Sequence, residues 1–287
     1  MLPRRSLLAF SCAILGLIFP LWAAKKTPSQ QPSSSARTLL LPRRIVAGER
    51  ATLAVLDANG RLTPDVTVSF SNGDQAKTDA TGRALFVAPL NPGVIFGSIE
   101  GHAGRVPIVI LTATEAAASA IEISSAPREA SLTDRFELLG KGFCADADSN
   151  QVRISGQPAL VLASSPASLI ILPPADLEAG DARVELACGK LQAPPFSLSL
   201  LDFELRADSS PLKPGEHRAL TVRVRGTTAK VSLEARNLAP GVASLVGGNP
   251  VTASSSGGKE NLARFELIGR KNGSFQIAIR LVPSESR

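Results

Sequence analysis

Asp146-Ala147-Asp148-Ser149-Asn150 places side-chain oxygens at alternate positions, a spacing with which a loop can wrap a hard cation such as calcium. An EF-hand loop would continue with Gly at position 151 and Glu at position 157. This chain has Gln at both, so a solvated inter-strand loop is the competing reading of Asp146, Asp148 and Asn150. Hydrolysis by a nucleophile needs a base beside it and an acid to orient the base. The chain has only two histidines, His102 in Gly101-His102-Ala103-Gly104 and His217 in Glu216-His217-Arg218, both next to turn residues and in different blocks of the sequence. The carboxylate pairs Asp176/Glu178 and Asp134/Glu137 belong to turns or strand edges. No catalytic residue and no cofactor site is assigned, and an enzyme with an unrecognised site is the remotest reading.

Cys144 and Cys188 carry the other chemistry. A third cysteine, Cys12, lies in an apolar N-terminal run, where Arg4 and Arg5 precede Ser6 to Trp22, followed by Ala23, Ala24 and the pair Lys25-Lys26. That is the order of an export signal over residues 1–24. Residues 7–24 are also just long enough to serve as an uncleaved membrane anchor. Export takes the chain to a compartment that permits oxidation, and the even count that remains predicts a Cys144–Cys188 disulfide; two free buried thiols are the alternative.

The same absences narrow the partners. Beyond Ala24 there is no Trp or Tyr, the side chains that stack on sugars and anchor interfaces. The net charge is +6, and the first 24 residues hold two Arg and no acids, so the remainder is only mildly basic and has no block of like charge. Nucleic-acid binding is disfavoured on compartment, charge and aromatic content together.

The elements that must position these residues are strands. Phe275, Ile277, Ile279 and Leu281 alternate with Gln276, Ala278 and Arg280, and the same period places Val222/Val224 opposite Arg223/Arg225, Val184/Leu186 opposite Arg183/Glu185 and Val231/Leu233 opposite Ser232/Glu234. Asn59-Gly60, Asn72-Gly73, Thr81-Gly82 and Asn272-Gly273 supply hairpin turns. The predicted class is all-β, in tandem sandwiches. A Pro/Ser/Gln tether over 25–38 leads to a first block at 39–113; a small-residue connector from Thr114 to Ala120 separates it from a second at 121–201, and a third follows at 202–282. The first joint is expected to flex. The second, where Phe196 to Leu205 crosses without Pro or Gly, is expected to be stiff. Gly48-Glu49 with Leu53 and Val55 is echoed by Gly215-Glu216 with Leu220 and Val222.

Three stretches carry family resemblances. Phe136 to Phe143, Val152 to Ala159, Ser164 to Pro173 and Gly180 to Val184 give the middle block the look of the immunoglobulin-like IPT/TIG family. That resemblance implies parallel strands ending at Phe143 and near Cys188 in facing sheets, with the disulfide on the rim. The first block resembles bacterial Ig-like or carboxypeptidase-regulatory-like domains through Val66 to Phe70 and Thr78 to Phe86, above all in the Asp79 to Gly82 turn. The third is generically Ig-like through Pro214-Gly215-Glu216 and Asn237 to Val242. Such modules imply scaffolding rather than an activity. The expected function is a non-enzymatic spacer or adhesion scaffold of the bacterial cell envelope, exported to the periplasm, the cell surface or the extracellular space, with an envelope protein or polysaccharide as partner and accessory carbohydrate binding as the alternative. The loops near Cys144 and Cys188 are the first expected contact surface.

Overall fold

Alternating apolar residues produce strands throughout the computed structural model, which describes residues 37–116, 119–208, 210–255 and 261–282. The segment expected as an export signal or anchor (1–24), with Cys12, and all but the last two residues of the expected tether (25–38) lie outside the described residues. The fold is all-β, in tandem immunoglobulin-like sandwiches.

The first block contains β1 (Thr38–Leu40), β2 (Arg44–Val46), β3 (Arg50–Leu56), β4 (Thr67–Phe70), β5 (Gln75–Lys77), β6 (Arg83–Val87), β7 (Gly93–Ile99) and β8 (Arg105–Leu111). One sheet joins β1, β3 and β6; the facing sheet runs β2-β8-β7-β4-β5. Its opening segment therefore serves both layers, with β1 antiparallel to β3 and β2 parallel to β8. Ile45, Leu53, Val55, Val68 and Ile108 are buried between them, and Phe70 stacks on Phe86 with centroids 4.7 Å apart.

After a short helix, α1 (Ala113–Ala116), the second block repeats the plan with β9 (Glu122–Ser125), β10 (Glu129–Ser131), β11 (Phe136–Lys141), β12 (Asn150–Ile154), β13 (Gln157–Pro158), β14 (Leu160–Ser165), β15 (Ser168–Leu172), β16 (Gly180–Cys188), β17 (Leu191–Gln192) and the long β18 (Phe196–Arg206). Here β9 pairs with β11, while β10 runs parallel to β18. Cys144 and Cys188 form a disulfide with Cα atoms 5.6 Å apart. The third block uses the end of β18 with β19 (His217–Arg225), β20 (Val231–Asn237), β21 (Ala243–Val246), β22 (Val251–Ser255), β23 (Asn261–Gly269) and β24 (Ile277–Val282).

β18 belongs to two cores. Leu198 and Leu200 fill the second and Leu201 the third, so the two blocks use opposite faces of one strand. Gly226 closes this joint at φ +98°. A Cβ there would come within 2.1 Å of the Leu200 carbonyl oxygen, so no other residue fits without displacing β18.

The first joint departs from expectation. Instead of hanging from a flexible connector, the first block is packed against the second: Leu40, Ala54 and Leu56 form a separate apolar cluster with Leu162, Ala163 and Ile170. Thr52 is in register with Ser164, which links β3 to β14 in one seven-stranded sheet. The physical reason is that β3 is buried on both faces. Ala51, Leu53 and Val55 face its own core, and Thr52, Ala54 and Leu56 face the neighbour.

The disulfide closes a loop of 44 residues. Replacing both cysteines by Ser is expected to cost about 4 kcal/mol on the chain-entropy model. A urea midpoint unchanged from that of the oxidised wild type would show that the crosslink contributes nothing.

Candidate binding cleft and the junction behind it

The Asp146 to Asn150 loop, the calcium candidate, stands at a structural junction. Asp146 accepts a hydrogen bond from the Asp148 backbone N–H at 3.0 Å and starts the 3-10 turn Ala147–Ser149. Asp148 pairs with Arg83 of the first block at 2.6 Å. Asn150 is buried, and its Nδ2 donates to the carbonyls of Cys144 and Asp146 and to Ser164 Oγ, while its Oδ1 accepts from the Cys144 N–H at 2.9 Å. The three side chains thus turn to three different sets of partners. Among the described residues no three or more His, Cys, Asp or Glu side chains are grouped to hold a metal ion.

Arg83 reaches this junction because of a turn. Asp79 Oδ1 accepts from the Thr81 hydroxyl at 2.6 Å, the Thr81 N–H at 2.8 Å and the Arg83 N–H at 3.4 Å. Gly82 sits at φ +76°, where a Cβ would lie 2.6 Å from the Thr63 nitrogen. The guanidinium then crosses to the second block, donating to the Val161 carbonyl at 2.8 Å as well as to Asp148. Asp57-Ala58-Asn59-Gly60-Arg61 builds the same Asp-Ala-x-Gly-Arg turn on the previous hairpin, with Asp57 Oδ1 accepting from the N–H groups of Asn59 and Arg61. Thr52 adds a further link, donating to the Ala145 carbonyl and accepting from the Ala147 N–H.

The histidines remain apart. His102 Nδ1 lies 3.2 Å from the Glu100 carbonyl oxygen in a first-block turn; His217 Nδ1 lies 2.6 Å from Glu266 Oε1 on the exposed face of the third. Asp176 and Glu178 are exposed between β15 and β16. Glu137 is instead a tie between blocks, taking the Arg43 side chain at 2.9 Å and the Ser168 hydroxyl at 2.6 Å.

Sequence reasoning missed the concave surface that Glu137 borders. A cleft of about 610 Å³ opens where all three blocks meet. Leu39 and Leu41 come from the first block, Pro127, Ala130 and Phe136 from the second, and Phe203, Ile279 and Leu281 from the third. Charged side chains rim this apolar floor: the Arg43–Glu137 pair, the Arg135–Asp134 pair at 3.2 Å, and Arg280. Apolar walls with a few oriented polar groups at a junction of modules are the usual make-up of a binding site. The signal for it was the unbroken apolar run Leu169 to Leu172 and the crowded Ala51 to Leu56, which read as strands covered on both sides and hence as blocks in contact.

No family model and no curated protein matches the sequence. Among solved structures, the chain is similar to SGBP-B of the Bacteroides ovatus mixed-linkage glucan utilization locus, in complex with a mixed-linkage heptasaccharide, at 12% identity and TM-score 0.29 over 84% of this chain and 73% of that one. It is similar to FdeC, an Escherichia coli adhesin, at 16% identity and TM-score 0.24 over 86% and 91%, and to the I9–I11 tandem of titin at 12% and 0.20 over 86% and 98%. Among the described residues no helix is long and apolar enough to cross a membrane.

Two predictions test the junction. Arg83→Met removes the guanidinium's bond to the Val161 carbonyl and its pair with Asp148 together and should cost about 2 kcal/mol in urea unfolding, whereas Asp148→Asn, on the exposed side of the pair, should cost well under half of that; equal costs would refute the division. The Thr81 hydroxyl, then the N–H groups of Thr81 and Arg83, hold the Asp79 carboxyl below the usual aspartate range, and the Arg61 N–H does the same for Asp57. Stability from these turns is therefore complete above the ordinary aspartate pKa of about 4 and is lost as pH falls through the depressed values. Thermal melts should show a shallower acid decline for Asp79→Asn than for wild type, and parallel declines would exclude the turn as a contributor.

Proposed function

We propose that this chain is a non-enzymatic, exported scaffold of the bacterial cell envelope. Its modules occupy 39–113, 121–201 and 202–282, the middle one of IPT/TIG type and the first of bacterial Ig-like or carboxypeptidase-regulatory-like type. They form one body that presents the cleft at their meeting point to a partner. The observation that carries this reading is the cleft itself: its apolar floor draws on all three blocks, and two of its charged pairs stand at the rim. Support for export comes from the order of residues 1–26 and from the disulfide. Glu137 beside the cleft and the buried Arg83 behind it are engaged in holding blocks together, which is work for a scaffold.

Thr133 is exposed on the cleft wall, so Thr133→Trp should fill the cleft while leaving the melting temperature unchanged. Immobilised wild-type chain is expected to retain a protein from envelope extracts at high as well as low salt, and the Trp variant to lose it. Equal retention by both proteins would remove the cleft from the function. Retention of a purified polysaccharide in place of a protein, with the same sensitivity to the Trp, would establish the carbohydrate-binding alternative.

A further inference from the structure

Among the described residues, β24 is bonded along one edge. In the first block β7 pairs with β4 on one side and β8 on the other, and in the second β16 pairs with β12 and β18. β24 holds the corresponding place in the third block, paired with β20, and among the described residues its other edge has no strand. Among the described residues the ladder rolls from β18 through β19, β23, β22 and β20 to β24 and stops there. Phe203 of β18 and Ile279 and Leu281 of β24, the two ends of that path, both line the cleft.

Burial records the missing neighbour. In β16 the inward residues Ala182, Val184 and Leu186 are 4%, 0% and 3% exposed, while the inward residues of β24, Ile277, Ile279 and Leu281, are all left half-buried. On the outer face Arg280 is exposed, stands opposite Glu234 in the ladder, and has no ion-pair partner among the described residues.

Building on the cleft reading above, we infer that β24 accepts an extended strand from a partner polypeptide. The incoming strand runs antiparallel to β24, as β8 does to β7, places apolar side chains at every second position over Ile279, Leu281 and Phe203, and sets an acidic residue beside Arg280. Backbone hydrogen bonds supply the affinity of such strand addition, and the alternate side chains supply its specificity. The unpaired edge is the kind of template that proteins otherwise cover.

The test extends the full chain beyond Arg287 with a short flexible linker and a strand of about eight residues alternating Val with Thr and carrying one central Glu. Tethering supplies an effective concentration in the millimolar range. Amide exchange at the alternate β24 N–H groups that do not bond β20 should slow by about tenfold or more, and Tm should rise by several degrees. Lys in place of the Glu should weaken protection, and Arg280→Glu should restore it for the Lys strand. Unchanged β24 exchange with every extension overturns the inference. So does an unextended chain that sediments as a dimer with β24 already protected, since the occupant is then a second copy. Retention that is sensitive to Thr133→Trp but accompanied by no strand uptake sinks this inference alone; strand uptake without any such retention sinks the cleft reading alone.

Discussion

β3 must hide two faces. An isolated sandwich strand keeps one row of side chains dry and offers the other to water, but in Ala51 to Leu56 both rows are apolar or small and both are covered. The second row can be satisfied only by another body, and β14 and β15 of the middle block supply it. Small side chains at Thr52 and Ala54 allow that close approach. Once this contact is made, the positions of β1 and of Leu39 to Arg43 relative to the second block follow, and with them one wall of the cleft.

Polar groups at the edge of this apolar contact give it direction. Arg83, Glu137, Thr52 and Ser165 each reach a partner in the opposite block, the last donating to the Arg44 carbonyl at 2.5 Å. A purely apolar contact would tolerate sliding; bonds to named carbonyls and carboxylates do not. The disulfide stands beside the same seam, since Cys144 is hydrogen-bonded to Asn150 and its carbonyl takes the Ser164 hydroxyl as well. Rim, turn and crosslink therefore stabilise one arrangement of two modules.

Much of this was legible in the residues. Period-two alternation located the strands at Val222/Val224, Val184/Leu186 and Val231/Leu233 on the correct faces, because one buried face leaves an unambiguous pattern. The strand expected from Ser274 begins three residues later, at Ile277, although Phe275 still packs against the third core. The cysteine pairing followed from an even count. What alternation could not convey was contact between blocks, for a strand covered on both sides loses the very periodicity by which strands are recognised. The Asp146 to Asn150 loop left two readings open for a related reason: oxygens at alternate positions suit a cation, but equally a cap, an ion pair to another module and a buried amide, and the partners that Asp148 and Asn150 take here come from elements distant in sequence.

One strand feeding two interiors has a further consequence. Because Leu200 and Leu201 are adjacent and point to opposite sides of β18, the middle and last modules are related by the pleat of the chain rather than by a hinge. Adding or removing a single residue between them would send the last module's apolar row out on the same side as its neighbour's, and the two would compete for one volume. Evolutionary lengthening of this spacer is thus confined to steps of two, so a natural homologue with an odd insertion there must carry a compensating bulge nearby.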